Sequence, residues 1–225
     1  MRRARAAAAD DVGDDEAESA TIELAPGELL AVWKPTRGEQ PLFDFPIGTL
    51  TRREVAAFLV SEATGWSIVP PTLLRDGPFG EGSIQQWIEV DEAVDVVRLV
   101  MDGDARLRRI AVFDAIVNNT DRKGGHLLPI AGGHIHAVDH GVTFSTVPKL
   151  RTLLWNWEGE PFSPEELEVV ARVRADLGGR LGADLRGLLH ATEVEATRQR
   201  VERLLDAGIF PSPIPSWPAI PWPPF

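Results

Sequence analysis

The chain has 225 residues, 44% of them hydrophobic, and a formal net charge of −11 at neutral pH. That length supports one large domain or two small lobes with a real core, and the acidic balance argues against broad nonspecific binding to nucleic acid or an anionic membrane. The absence of cysteine excludes disulfides and thiolate zinc sites; no apolar run approaches the ~20 residues of a membrane span; and the start lacks an apolar signal-peptide core, so a cytoplasmic protein with no stable membrane insertion is expected.

Residues 1–20 are mostly alanine and acid and are expected to be a disordered tail. Thr21–Leu24 and Leu29–Trp33 read as strands joined by a turn at Pro26-Gly27. Lys34 ends the second strand, and residues 36–50 form a loop whose Phe-Asp-Phe aromatics should pin it to the core. Thr51 and Glu54 have capping-box spacing and open a helix to about Ala63, with Gly65 as its stop. An extended stretch from Val69, a turn over Asp76–Gly82 and a strand over Ser83–Val90 follow, then a short amphipathic piece over Asp91–Met101.

Arg106–Asn118 has the periodicity of a buried helix. It ends in a dense polar run from Asn118 to His126. His126–Ile130 and His134–Val138 should be two short strands of a hairpin around Ala131-Gly-Gly133, ending at Asp139-His140-Gly141. Pro148–Trp157 is basic and then aromatic. Ser163-Pro164-Glu-Glu166 carries both a capping box and a first-turn proline and predicts a helix to about Leu177. Further helices are predicted over Leu181–His190 and from a Thr192–Glu195 cap to about Ala207. The tail over 211–225, rich in proline and tryptophan, should lie extended along the surface. These elements describe an α+β layout of two lobes: the tail over 1–20, a small lobe over 21–90, a mostly helical lobe over 91–210 and the 211–225 tail.

The polar run is where chemistry is expected, because loops held on rigid elements commonly carry it. A carboxylate at Asp121 can orient a hydroxyl and accept its proton, while Arg122 and Lys123 offset phosphate charge. The glycines at 124 and 125 permit close backbone approach. Asp139 lies where a returning hairpin strand would bring it beside Asp121, and magnesium's preference for oxygen ligands makes it the stronger metal-ligand candidate, with His126 the weaker. Lys34, at the end of an early strand, suits phosphate contact from the other side, with Glu54 or Glu62 as its acidic partner.

This order of residues resembles the phosphatidylinositol 3- and 4-kinase-like branch of the protein-kinase-like fold, nearest to the type II phosphatidylinositol 4-kinases and a related group of small actinobacterial proteins. Asp121-Arg122 resembles the opening of that branch's catalytic loop, Asp139-His140-Gly141 its metal-binding Asp-x-Gly, and GVTF followed by RTLLWNW at 151–157 the stretch beyond it. The similarity covers roughly residues 29–160. It implies a two-lobed fold and an ATP-dependent kinase using Mg2+ or Mn2+. Asp121 would be the catalytic aspartate, with Arg122 and Lys123 beside it. Lys34 would contact ATP with Glu54 as its ion-pair partner, and Gln86, Trp87 and Ile88 would meet adenine. Asp139 and His126 would hold the metal. His126 stands where the branch has asparagine, which leaves manganese preference or weakened activity open, and residues 1–28 match the expected leading strands poorly, so a truncated upper lobe is expected. The acceptor is a protein, a small molecule or a lipid.

Two other classes remain. One is a nucleotide-binding pseudokinase or interaction protein, in which the proline-tryptophan tail docks a partner. The other is a metallo-hydrolase, because four of the five histidines fall between 126 and 140 and His134, His136, Asp139 and His140 give H-x-H-x-x-D-H, one residue longer than a familiar zinc or iron spacing.

Overall fold

A computed structural model describes residues 4–7 and 28–225. The chain is mixed α+β. Strands β1 (Ala4–Ala7), β2 (Leu29–Pro35), β3 (Thr72–Gly77) and β4 (Gly80–Gln86) form one sheet in the order β1-β2-β4-β3. β1 runs parallel to β2, whereas β2–β4 and β3–β4 are antiparallel. Within the tail expected over 1–20, Ala4–Ala7 pair with β2; the rest of that tail, the predicted strand at Thr21–Leu24 and the turn at Pro26-Gly27 lie outside the described residues.

Helix α1 (Leu50–Thr64) packs on this sheet. Its Ala56, Ala57 and Val60 have no exposed surface and belong to the core shared with the later helices. The predicted capping box at its start does not form. Thr51 instead bonds the Thr36 hydroxyl at 2.9 Å, its N–H is taken by Glu39, and Glu54 turns inward. The far end closes on Gly65, whose left-handed φ of 67° suits a residue without a Cβ. In the loop before α1, Phe45 is buried but Phe43 is 94% exposed, so only one aromatic pins it.

The strand expected over Ser83–Val90 stops at Gln86. Helices α2 (Val96–Asp102) and α3 (Arg108–Val117) follow. α3 is buried from Ile110 through Val117, and its C-cap Asn118 adopts a left-handed φ of 53° that reverses the chain. The two-stranded sheet of β5 (Leu127–Pro129) and β6 (Ile135–Ala137) then returns, pairing Leu128 with His136.

The remaining helices are α4 (Pro164–Leu177), α5 (Arg180–Arg186) and α6 (Ala191–Ala207). α4 opens with the predicted reciprocal bonds between Ser163 and Glu166. α5 is shorter than predicted. The cap of α6 is His190 with Glu193, two residues before the predicted pair, because the imidazole accepts from the Thr192 N–H. One core joins these helices, with Val60, Ile68, Leu107, Phe113, Ile116, Val170 and Leu185 at its centre. Arg53 crosses it fully buried and joins α1 to α6 through Glu193 at 2.6 Å and to the Thr143 carbonyl at 2.7 Å. No helix among the described residues is long and apolar enough to cross a membrane.

Candidate active site

The turn after α3 is built around one buried carboxylate. Asp114 has no exposed surface and accepts from Arg122 Nε at 3.0 Å, Arg122 Nη2 at 2.9 Å and Asn119 Nδ2 at 2.9 Å. Asn119 in turn accepts from the Asp121 N–H at 3.0 Å. Arg122, itself fully buried, also reaches the Val138 carbonyl and His140 Nε2. The sequence reading placed Arg122 beside the reacting groups. The structure turns it inward, where it holds the Asp121 loop against the segment entering Asp139. Asp121 faces outward, with Oδ1 2.9 Å from Arg151 and Oδ2 3.3 Å from Lys123.

The β5–β6 hairpin delivers Asp139, whose φ of 60° is left-handed, a conformation that non-glycine residues seldom hold without a surrounding constraint. That constraint is visible: the Val138 N–H donates to the His126 carbonyl, and the His140 N–H donates to Glu54 Oε2 at 3.0 Å. Asp139 Oδ1 lies 3.5 Å from Lys34 Nζ, and Oδ2 lies 3.4 Å from His126 Nε2. Lys34 is paired with Glu54 Oε1 at 2.6 Å, and Glu62 takes no part. A continuous chain of contacts therefore runs from Asp114 through Arg122, His140, Glu54 and Lys34 to Asp139 and His126.

Charge states follow from this arrangement. Burial disfavours the Lys34 ammonium, but Glu54 and Asp139 outweigh it and hold its pKa above the ordinary value. Desolvation works against ionised Asp139, yet Lys34, His126 and Arg122 together keep its pKa below the usual carboxylate range. Burial first, with Arg122 and Lys123 adding to it, pushes His126 down despite Asp139, so its imidazole is neutral at pH 7 and able to ligate. His140, buried and beside Arg122, is pushed well down and accepts the Arg122 N–H as the neutral ring.

Lys34, Glu54, Asp121, Asp139 and Gly141 line one cleft of about 700 Å³. Trp33 and Phe79 stack at 5.6 Å on the sheet side, with Arg37 over the Phe79 ring. Gln86, Trp87 and Ile88 line a different depression of about 660 Å³ with Ile130, Ala131 and His136, and the Trp87 N–H is already donated to the Leu30 carbonyl. The histidine-metal reading is corrected: His134 bonds the Ser67 carbonyl, its ring lies 4.5 Å from that of His136, and His140 faces Arg122 instead of joining them. Among the described residues no group of three or more histidines and carboxylates is placed to hold a metal. Asp139 nevertheless lines the cleft with the neutral imidazole of His126 beside its carboxylate, a donor pair of a chemistry suited to a divalent cation.

No family model matches the chain. The protein Rv2133c of Mycobacterium tuberculosis (strain ATCC 25618 / H37Rv) is 41% identical over 232 aligned positions, which cover 88% of this chain and 83% of that protein. The chain belongs to the Rv2133c family. A more distant similarity, 27% identity over 152 positions, links it to phosphatidylinositol 4-kinase gamma 4 of Oryza sativa subsp. japonica; it covers 58% of this chain and 27% of the rice protein.

Three residues of the site had little or no signal in the sequence. Asp114 had a signal, an acid on the inward face of an otherwise apolar helix, where an unpaired charge would be costly. His140 was visible as the middle residue of Asp139-His140-Gly141 and as part of a histidine pattern, without its buried partner Arg122. Arg151 had no local signal, since its partner lies 30 residues earlier. The 211–225 tail also reaches the site. Ala219 O accepts from the Thr152 N–H and Trp155 Nε1, Pro224 O accepts from the Gly124 N–H, and the Phe225 ring lies where a Cβ on Gly124 would sit.

Proposed function

We propose that this protein is an ATP-dependent phosphotransferase of two-lobed, protein-kinase-like fold, with residues 21–90 as the small lobe and 91–210 as the helical one. The observation that carries this reading is the convergence of Lys34, Glu54, Asp121 and Asp139 on one cleft. The partial similarity to a plant protein named as a phosphatidylinositol 4-kinase supports it.

Lys34, fixed by Glu54, would contact the phosphates of ATP. Asp139 and His126 would hold Mg2+ or Mn2+, which when bound offsets phosphate charge. Adenine is assigned to Gln86, Trp87 and Ile88 at the end of β4, the strand that pairs with β2 beside Lys34. Asp121 orients the acceptor hydroxyl and receives its proton. The acceptor oxygen forms a bond to the γ-phosphorus as the bond to the β–γ bridging oxygen breaks, and ADP leaves with that electron pair. Lys123 stands beside Asp121 to stabilise charge developing on the phosphoryl oxygens. Arg122 acts from behind, as a positioning residue. The acceptor is an alcohol of a protein, small molecule or lipid.

A second reading, nucleotide binding without transfer, draws on one observation: both carboxylate oxygens of Asp121 are already faced by cations, Arg151 and Lys123. ATP turnover with Mg2+ or Mn2+, compared between wild type, Asp121→Ala and Asp139→Ala, separates the two. Loss of a general base costs roughly 10²–10⁴-fold, so transfer predicts at least a hundredfold loss in Asp121→Ala, and a loss of turnover in Asp139→Ala because the metal pair loses its carboxylate. Equal turnover in all three would sink it, and saturable ATP binding with no turnover in wild type would favour the second reading.

A further inference from the structure

Away from the cleft, a cavity of about 330 Å³ opens between the C-terminal half of α6, α3 and the 148–150 and 209–214 segments. Leu150, Leu204, Phe210 and Ile214 give it an apolar lining, and Arg200 and Arg203 stand on its wall. Among the described residues, the other buried and half-buried arginines all meet a carboxylate, whereas the exposed Arg172 bonds only carbonyls. Arg53, Arg108 and Arg122 each meet a carboxylate, at 2.6, 2.8 and 2.9 Å. Arg200, partly buried, meets none. Its bonds go to the Ile116 and Ser145 carbonyls and the Thr197 hydroxyl, and its Nε–H makes no bond.

Among the described residues Arg203, one turn along the same helix face and exposed, has no hydrogen-bond or ion-pair partner, and Glu202 beside it is taken by Arg198. Burial, then the neighbouring Arg203 charge, pushes the Arg200 guanidinium down to about 9. Like charges at this helical spacing repel, and neither arginine lies in the last turn of α6, where the helix dipole would favour a cation. In a chain of net charge −11, two cations without a carboxylate beside an apolar cavity form a local site of opposite sign.

We propose that this cavity binds a small amphipathic anion, its carboxylate or phosphate head on Arg200 and Arg203 and a medium-length aliphatic chain among Leu150, Leu204, Phe210 and Ile214. Arg200 is already fixed by its carbonyl bonds, so binding does not have to order it. The volume lies at the lower end of the roughly 300–1,000 Å³ usual for ligand pockets, which suits a single unbranched chain of medium length. The site is independent of the phosphotransfer reading, although Arg200 and Asn118 both donate to the Ser145 carbonyl in the loop that follows Asp139.

Calorimetric titration of the full chain with decanoate, decyl phosphate, decanol and butyrate tests this. Saturable binding of at least one decyl anion is expected, at least tenfold tighter than decanol or butyrate, and the tighter of the two anions identifies the head group. Arg203→Glu and Ala207→Phe change exposed residues at the cavity. The first should weaken the anion at least tenfold, and the second, by filling the cavity, should remove binding. Decanol binding as tightly as the anions, no saturable binding of either anion up to about 1 mM, or undiminished binding in the folded variants would overturn the proposal. The wild-type comparison decides the matter even if a variant does not fold.

Discussion

Replacing Asp114 by alanine tests the interaction that positions the candidate site. Asp114 and Arg122 are both fully buried, and the carboxylate takes two guanidinium N–H groups at 2.9 and 3.0 Å. Removing it leaves a buried cation facing only the Val138 carbonyl, the His140 ring and a cavity. Breaking a buried pair from one side costs about 3–5 kcal/mol, and two charge-assisted bonds at roughly 1.5–3 kcal/mol each reach the same range. That is a large share of a typical folding stability of about 5–15 kcal/mol. Urea unfolding of Asp114→Ala should therefore show a much lower midpoint at an unchanged slope. Glu81→Ala, which removes the exposed Arg52 pair, should lose under about 1 kcal/mol. The paired change Asp114→Leu with Arg122→Met should recover most of the loss, because the desolvation penalty leaves with both charges. A loss below about 1 kcal/mol in Asp114→Ala would refute the reasoning.

Two further outcomes are expected. Lys34→Met should weaken ATP binding at least tenfold, about 1.4 kcal/mol, in a fluorescent-nucleotide titration; unchanged affinity would remove Lys34 from the phosphate site. Folding stability should fall as pH drops from 7.5 to 5.5 in metal-free buffer. His126, His136 and His140 all have folded pKa values below the unfolded 6.5, so below that pH the unfolded chain binds protons the folded one refuses, at up to roughly 1.4 kcal/mol per pH unit per histidine. Asp139, lowered from 3.8, and Lys34, raised from 10.5, act outside this window: the first loses its contribution as pH falls through its folded value, the second as pH rises through its own. Equal urea midpoints at the two pH values would contradict this, and His140→Gln should flatten the slope.

Local features of this chain were readable because they depend on neighbours in sequence. The Ser163–Glu166 box, the Gly65 stop and the hairpin around Ala131–Gly133 each need only a few adjacent residues, and each is present. The order of Lys34, Glu54, Asp121 and Asp139 was legible too, through a resemblance. What they touch was not. Glu54 has the spacing of a cap, and only the packing of α1 against Lys34 and the His140 N–H turns it into an ion-pair partner. Arg122 reads as a solvent-facing member of a basic run, and only the buried face of α3 draws it inward.

Sequence by itself determined the approximate spans of α1, α3, α4 and α6 and the Gly65 and Ala131–Gly133 turns, since periodicity and glycine act over one or two turns of chain, while the caps of α1 and α6 differ from those read in the sequence. Tertiary structure decided which charges meet, because Lys34 and Asp139, Asp121 and Arg151, or the unmatched Arg200 and Arg203 acquire their surroundings only when segments tens of residues apart are packed together and water is removed between them.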